Sequence, residues 1–365
     1  MFANLFKTVF GRRDAQAAAP SPEEAPEGPL ETARRHRDAG DGEAAARAYR
    51  HLLAEQPEDL EALHFLADAT YEAKQHEAAL EHARLLARLI PEDPQYLIRC
   101  AHCEHALGNS AAARSLCEQA LAMRPNLSNV HQLLSQIDLP GPVYSEVLRR
   151  LHATLRPRTY VEVGIFQGRT LALAGPDTRA IGVDPAPQVQ VPLSALTQVH
   201  AETSDDFFAS HDVRAEFGGL PVDLAFIDGM HRFEFALRDF MNLEALCTPE
   251  SVILVHDCYP LDEATATRDQ LTIFWSGDVW RLMLLLRRHR PDLQVHTIAT
   301  PPTGLGIITG LDPKSTYIAE HLEEMTAQGL AMQYAELDRD KAGQLGRLAN
   351  DWEKIAALLP ASAAR

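Results

Sequence analysis

The sequence predicts a helical repeat region followed by an α/β domain built on a largely parallel sheet. Three observations carry this. Pro57, Pro91 and Pro125 stand 34 residues apart, with matching small residues at fixed distances before each. Beyond Asp138-Leu-Pro-Gly-Pro142 the pattern changes, and short apolar runs alternate with amphipathic stretches, as in strands joined by crossover helices. Several of those apolar runs end in glycine or carboxylate residues, where open α/β sheets carry their sites.

The repeat is read from its columns. Ala33, Ala67 and Ala101 lie 24 residues before the prolines, and Ala45, Ala79 and Ala113 lie 12 before. Tyr49, Ala83 and Cys117 lie 8 before. Small side chains in these slots let two helices approach closely, and proline ends the second helix. Four aligned columns at this period resemble the tetratricopeptide family. Three such units bury a continuous core, and the resemblance implies a surface for partner binding or self-association. Cys100-x-x-Cys103, with His102 and His105 beside it, falls on the first helix of the third unit. No second ligand pair is spaced for zinc, so these cysteines are expected to pack.

The 365 residues suit two or three domains, and 46% apolar content is enough for real cores. A net charge of -17 argues against nucleic acid or an anionic membrane as the main partner, since phosphate recognition needs a basic face. Five cysteines in a long chain do not read as a disulfide framework, and a reducing cytoplasm is the expected location. In residues 1–13, Phe2, Leu5, Phe6, Val9 and Phe10 lie near helical spacing beside Lys7, Arg12 and Arg13. This fits either a short docking or membrane-contacting helix or a weakly packed terminus.

The segments follow in order. Residues 1–29 form an N-terminal segment and an Ala/Pro/Glu-rich linker, the repeats occupy 30–138, the α/β domain 139–311, and a charged helical tail 312–365. Within the α/β domain a helix is expected over Tyr144–Leu155. Strands are expected over Tyr160–Val163, Ala180–Val183, Val222–Ile227 and Val252–Val255, with a further one before His200. Helices follow at Phe233–Leu246 and Val279–His289. Leu293–Ile298 and Gly304–Thr309 come without a helix between them, which predicts an antiparallel hairpin at the sheet edge.

The first chemical motif is Glu162-Val-Gly-Ile-Phe-Gln-Gly168, at the end of the first strand and the expected start of a helix. Glycines there let backbone turn tightly and approach a ligand. The second strand ends in Asp184, about 20 residues on, where an acidic side chain can hold a ribose diol. This E-x-G-x-x-x-G pattern resembles class I S-adenosylmethionine-dependent methyltransferases. The resemblance implies a Rossmann-like domain with a seven-stranded, mostly parallel sheet. It also implies Gly164 and Gly168 at the methionine end of the cofactor, Glu162 supporting the loop and Asp184 on the ribose. A related scaffold with a different nucleotide is the other reading of the same motif.

The second motif is Phe226-Ile-Asp228-Gly-Met-His231, and the third is Val255-His256-Asp257-Cys258, each closing a strand. Two carboxylates at adjacent strand ends repel unless a cation or proton lies between them. A hard divalent ion such as Mg²⁺ satisfies both. His231 lies three residues past Asp228 and suits a general base at neutral pH. Asp228, Gly229, His231, Phe233, Glu234 and Asp239 together resemble the I-D-G-x-H branch of the methyltransferases, which includes metal-dependent sugar O-methyltransferases. That resemblance spans about Arg158–Gly310. It implies Asp228 and Asp257 as metal ligands, with Asp228 also at the cofactor and His231 as base. Relatives often carry Glu-Asp where this chain has His256-Asp257, so His256 would be the third ligand and would favour a softer metal.

Three other stretches border this region. Trp275 and Trp280 could stack on a sugar or aromatic face or belong to the core. Thr300-Pro-Pro-Thr-Gly304 joins the two late strands, and His200-Ala-Glu202-Thr-Ser204 could approach the adenine. The expected function is S-adenosylmethionine-dependent O-methylation of a small-molecule or glycan hydroxyl. The alternative is a non-catalytic repeat scaffold whose α/β domain only senses the cofactor.

Overall fold

In the computed structural model, which describes residues 28–360, the 34-residue period becomes antiparallel helix pairs. The N-terminal segment expected over residues 1–13 lies outside the described residues. The described chain forms two compact units, divided after Pro91. The first holds α1 (Pro29–Asp38) with α2 (Gly42–Glu55), and α3 (Leu60–Glu72) with α4 (His76–Leu89). Ala33, Ala45, Tyr49, Ala67, Ala79 and Ala83 are all buried, as close helix packing requires. Asp41 and Asp59 cap their helices by accepting the amides of Ala44 and Ala62 at 3.0 and 2.9 Å.

The second unit opens with the third repeat, α5 (Pro94–Ala106) and α6 (Ser110–Met123), followed by α7 (Ser128–Asp138). Cys100, Cys103 and Cys117 are buried, and burial pushes the Cys103 thiol up to about 11, so they pack as the sequence implied. This repeat shares its core with the α/β domain rather than with a boundary at residue 138. Val130, Leu133 and Leu134 of α7 pack in one cluster with Leu261 and Phe274. Ser135 donates to the Pro302 carbonyl at 2.7 Å, and Asn126 accepts the Ile273 amide at 3.0 Å.

After α8 (Tyr144–Leu155) come β1 (Thr159–Val163), β2 (Arg179–Val183) and β3 (Leu196–His200). Then come α9 (Ser204–Ser210), α10 (Val213–Glu216), β4 (Leu224–Ile227), α11 (Phe233–Glu244) and β5 (Val252–His256). The domain continues with α12 (Trp280–His289), β6 (Gln294–Ile298) and β7 (Leu305–Thr309). The strands and the helices α8, α11 and α12 match those expected from the sequence; α9 and α10 were not expected, and the helix expected after Gly168 is only a 3-10 turn at Leu171–Leu173. The tail differs. It breaks into α13 (Tyr317–Glu320), α14 (Leu322–Ala331), α15 (Tyr334–Asp338), α16 (Lys341–Gln344), β8 (Arg347–Leu348) and α17 (Trp352–Ala356).

The sheet therefore has eight strands, not seven, in the order β3-β2-β1-β4-β5-β7-β6-β8. The first five run parallel, while β7 is antiparallel to both β5 and β6. β8 pairs in parallel with β6, so the predicted hairpin is not the edge. A two-residue strand in a charged helical tail carries no sequence period. The open edge of β6 supplies its partner groups.

Alternate strand residues face opposite sides. Ala225, Ile227, Ile253 and Val255 pack under α11 and α12, and Leu224, Phe226, Val252 and Leu254 pack under α8. Burial on both faces explains why these strands read as continuous apolar runs. The chain moves outward from β1 to β3, then returns to β4 beside β1. That reversal opens a crevice at the carboxyl ends of β1 and β4, the place where such sheets bind ligands.

Candidate active site

The crevice is a cavity of about 890 Å³. Its wall includes Gly164, Asp184, Asp228, His231, His256 and Asp257, so six of the sequence-derived residues meet in one place. Glu162 and Gly168 stand behind the wall.

The β1 loop is shaped by close approach. Gly164 has φ +85°, and a Cβ there would lie 2.0 Å from the Asp228 carbonyl oxygen. Only glycine lets the ends of β1 and β4 come this close. Asp184 holds the loop from the next strand. Its two carboxylate oxygens accept the amides of Phe166 and Ala186, each at 2.8 Å. Each oxygen retains a further acceptor site toward the cavity. Behind the loop the fully buried Glu162 accepts from the Tyr160 hydroxyl at 2.7 Å and the Thr170 hydroxyl at 2.5 Å. Burial pushes its carboxyl up to about 8, against the lowering effect of those two donors.

At the ends of β4 and β5 the acidic and imidazole groups converge. His256 Nδ1 lies 3.1 Å from Asp228 Oδ1 and 3.2 Å from Asp257 Oδ2. His231 Nδ1 lies 3.2 Å from Asp257 Oδ2, and its Nε2 lies 3.7 Å from Asp228 Oδ1. Thr303 donates to Asp257 Oδ1 at 2.6 Å. Burial opposes charge on His256, but Asp257 and Asp228 outweigh it and hold its pKa well above the usual histidine range. Burial likewise opposes ionisation of Asp257, yet the facing His256 and His231 bring it below the usual carboxylate range.

Backbone strain marks the same spot. His231 and Asp257 both sit at positive φ, +56° and +59°. The His231 conformation is held from the loop before α12, where the Asp278 amide donates to the His231 carbonyl at 3.1 Å. Gly277 leaves room for that carbonyl, since a Cβ there would lie 1.9 Å from it. Non-glycine residues in this region persist where surrounding structure enforces them, and such positions cluster at functional sites.

The donor set fits a cation. His231 Nδ1, His256 Nε2 and Asp257 Oδ2 are buried without an aligned hydrogen bond. One ligand atom each from Asp228, His231 and Asp257 lie within 4.8 Å of one another. His231 thus joins Asp228 and Asp257 in this cluster, and His256 Nδ1 faces the same two carboxylates.

Other groups enter the wall unannounced by the sequence. The Tyr144 ring lies 4.1 Å from the His256 ring, and Asp239, on α11, is buried there with its carboxyl pushed up to about 7 by burial. Asp239 was visible only as part of the I-D-G-x-H resemblance, and Thr303 only as part of a loop. Trp275 stacks on His231 at 5.3 Å in the cavity, whereas Trp280 is buried in the α12 core. Thr203 and Ser204 reach the cavity, but His200 and Glu202 do not line it.

Residues 161–258 match the protein family described as "Methyltransferase domain". That span contains every residue of the predicted site. No curated protein matches the chain. Among solved structures, the chain is similar to the O-methyltransferase TomG from Streptomyces achromogenes, involved in tomaymycin synthesis and solved with SAM. Identity is 18% and the TM-score 0.36, over 53% of this chain and 95% of TomG. An O-methyltransferase from Bacillus cereus, solved with SAH, is 12% identical with a TM-score of 0.34, over 53% of this chain and 96% of its own. MamA of AMB-1 is 18% identical with a TM-score of 0.28, over 30% of this chain and 60% of MamA. Scores this low leave the architecture to rest on strand order.

Proposed function

We propose that the chain is an S-adenosylmethionine-dependent O-methyltransferase acting on a hydroxyl of a sugar, glycan or secondary metabolite. The carrying observation is that Asp228, His231 and Asp257 meet beside the Gly164 loop and Asp184 in one cavity. A cofactor with its ribose on Asp184 and its methionine end at the Gly164 loop would point its methyl group toward the β4 and β5 ends.

When bound, the cofactor would supply an activated methyl group to the acceptor oxygen. The hydroxyl proton passes to His231 Nε2. Asp257, beside Nδ1, favours the tautomer with Nδ1 protonated and stabilises the resulting imidazolium. Trp275 fixes the imidazole plane from one side. Alignment of the two reactants in one cavity supplies much of the remaining rate gain. A divalent ion, when bound, would be held by Asp228 and Asp257 with His256 beside them and would stabilise the developing alkoxide. The imidazoles favour a softer ion than Mg²⁺.

One observation favours a second use of His231, as a third ligand in the Asp228 and Asp257 cluster. A nitrogen bound to a metal has no lone pair for a proton. Metal affinity of His231→Ala separates the two uses: unchanged for a base, lost for a ligand. The helix pairs would serve partner binding or self-association, and the five buried free thiols suit the cytoplasm. Among the described residues no helix is long and apolar enough to cross a membrane. Calorimetric titration with S-adenosylmethionine, with and without Mg²⁺ or Mn²⁺, tests the whole reading. Micromolar binding supports it, and absence of heat under every condition refutes it.

A further inference from the structure

A second cluster of metal-ligating side chains lies where β3 runs into α9 and α10. It consists of His200, Glu202, His211 and Glu216, none of which lines the cavity. His200 ends β3, His211 caps α9 and Glu216 closes α10, so three elements bring these groups together. One ligand atom each from His200, His211 and Glu216 lie within 4.8 Å of one another.

The distances divide the cluster into an inner and an outer set. On the inner side, His200 Nε2 lies 3.3 Å from Glu216 Oε2, and His211 Nδ1 lies 2.9 Å from Glu216 Oε1. On the outer side, Glu202 Oε1 lies 3.0 Å from His211 Nε2 and 3.6 Å from His200 Nδ1. One carboxylate thus faces one nitrogen of each imidazole, and a second carboxylate faces the other nitrogen of both. Metal-bound histidines have this arrangement, donating their far N–H to a carboxylate that fixes ring orientation and tautomer. The inner spacing also fits. Bonds of about 2.0–2.1 Å from a tetrahedral Zn²⁺ put neighbouring ligand atoms about 3.3 Å apart.

Two further facts point the same way. His200 Nε2 and Glu216 Oε2 are buried and make no aligned hydrogen bond, although they face each other. Phe207, fully buried, packs against both imidazoles, with ring centroids 4.8 Å from His200 and 4.9 Å from His211. The rings are therefore held in place by the core and not only by their hydrogen bonds.

We infer that His200, His211 and Glu216 form a second divalent-metal site of the Zn²⁺ class, oriented by Glu202 and left open at a fourth position. Two imidazoles and one carboxylate suit Zn²⁺ or Co²⁺ better than Mg²⁺. Bound metal would tie the end of β3 to α9 and α10, directly behind Thr203 and Ser204 in the cavity wall. The inference does not depend on the proposed methyl transfer.

The test uses untagged full-length chain, stripped with chelator and titrated with Co²⁺ and then Zn²⁺. An Asp228→Asn/Asp257→Asn background silences the other cluster. Expected are one equivalent of Co²⁺ with visible ligand-field bands, displaced by Zn²⁺, and loss of both in His200→Ala/His211→Ala. Glu202→Gln should weaken binding 10- to 100-fold, the usual effect of removing such an orienting carboxylate. Circular dichroism checks folding. If the alanine pair unfolds, His211→Gln replaces it, and if the asparagine background unfolds, the wild-type stoichiometry falling by one in His211→Gln gives the same answer. Failure to bind either ion, or binding that survives these substitutions, overturns the site.

Discussion

Glu162 is the residue whose burial makes the sharpest demand, and Glu162→Gln tests it. In an unfolded chain its carboxyl titrates near 4.5, whereas in the fold it titrates at about 8. Because the folded value is raised, the stability linked to this group is full below pH 4.5. It is lost progressively as pH climbs to about 8. By pH 7 the unfolded chain has ionised this carboxyl and the native chain largely has not, which costs the native state about 3 kcal/mol. Glutamine keeps the shape and an acceptor for Tyr160 and Thr170 but cannot ionise. Its altered hydrogen bonding adds a pH-independent offset of about 1 kcal/mol. Urea unfolding of both proteins from pH 5 to 8 isolates the effect, because every other titrating group is common to both. The variant should gain about 3 kcal/mol on the wild type across that range. Parallel stability curves would refute the reasoning and return Glu162 to an ionised, solvated state.

Three more outcomes are expected. His231→Ala should lower turnover by about 10²- to 10⁴-fold while leaving S-adenosylmethionine affinity nearly intact; equal loss of both would remove it from proton transfer. Asp184→Ala frees the Phe166 and Ala186 amides and removes the ribose acceptor, so cofactor affinity should fall about tenfold or more by calorimetry. Unchanged affinity would take Asp184 out of the cofactor site. His152 is buried against Tyr160 with no partner for either ring nitrogen, and burial lowers its pKa to about 4. Its depressed value means stability is full above pH 6.5 and lost as pH falls toward 4, by about 2 kcal/mol at pH 5. His152→Leu should abolish that acid-side loss in denaturant titrations, and an unchanged slope would contradict it.

Much of the architecture was legible because its causes are local. Alanine at a 34-residue period can only be tight helix packing, and two-sided burial makes strands read as apolar runs. The glycine pair after β1 and the carboxylates at Asp184, Asp228 and Asp257 announced a site because each closes a strand. Roles within the site were less legible. His256 and His231 are both imidazoles near two aspartates, and only their positions show which bonds to Asp228 and which shares the Asp257 face with a stacked Trp275. Trp275 and Trp280 differ by five positions and looked alike, yet one enters the cavity and the other the core.

By itself, then, the sequence determined the repeat, the succession of β1 to β7 with α8, α11 and α12, and the identity of the groups at the strand ends, since each follows from period, turn chemistry and residue type over short stretches of chain. The tertiary structure alone decided the eighth strand, the joining of the third repeat to the α/β core, and the meeting of His200 and Glu202 with His211 and Glu216. Those depend on which distant surfaces come to share a hydrogen-bond edge, an apolar cluster or a single point in space, and no local pattern encodes that.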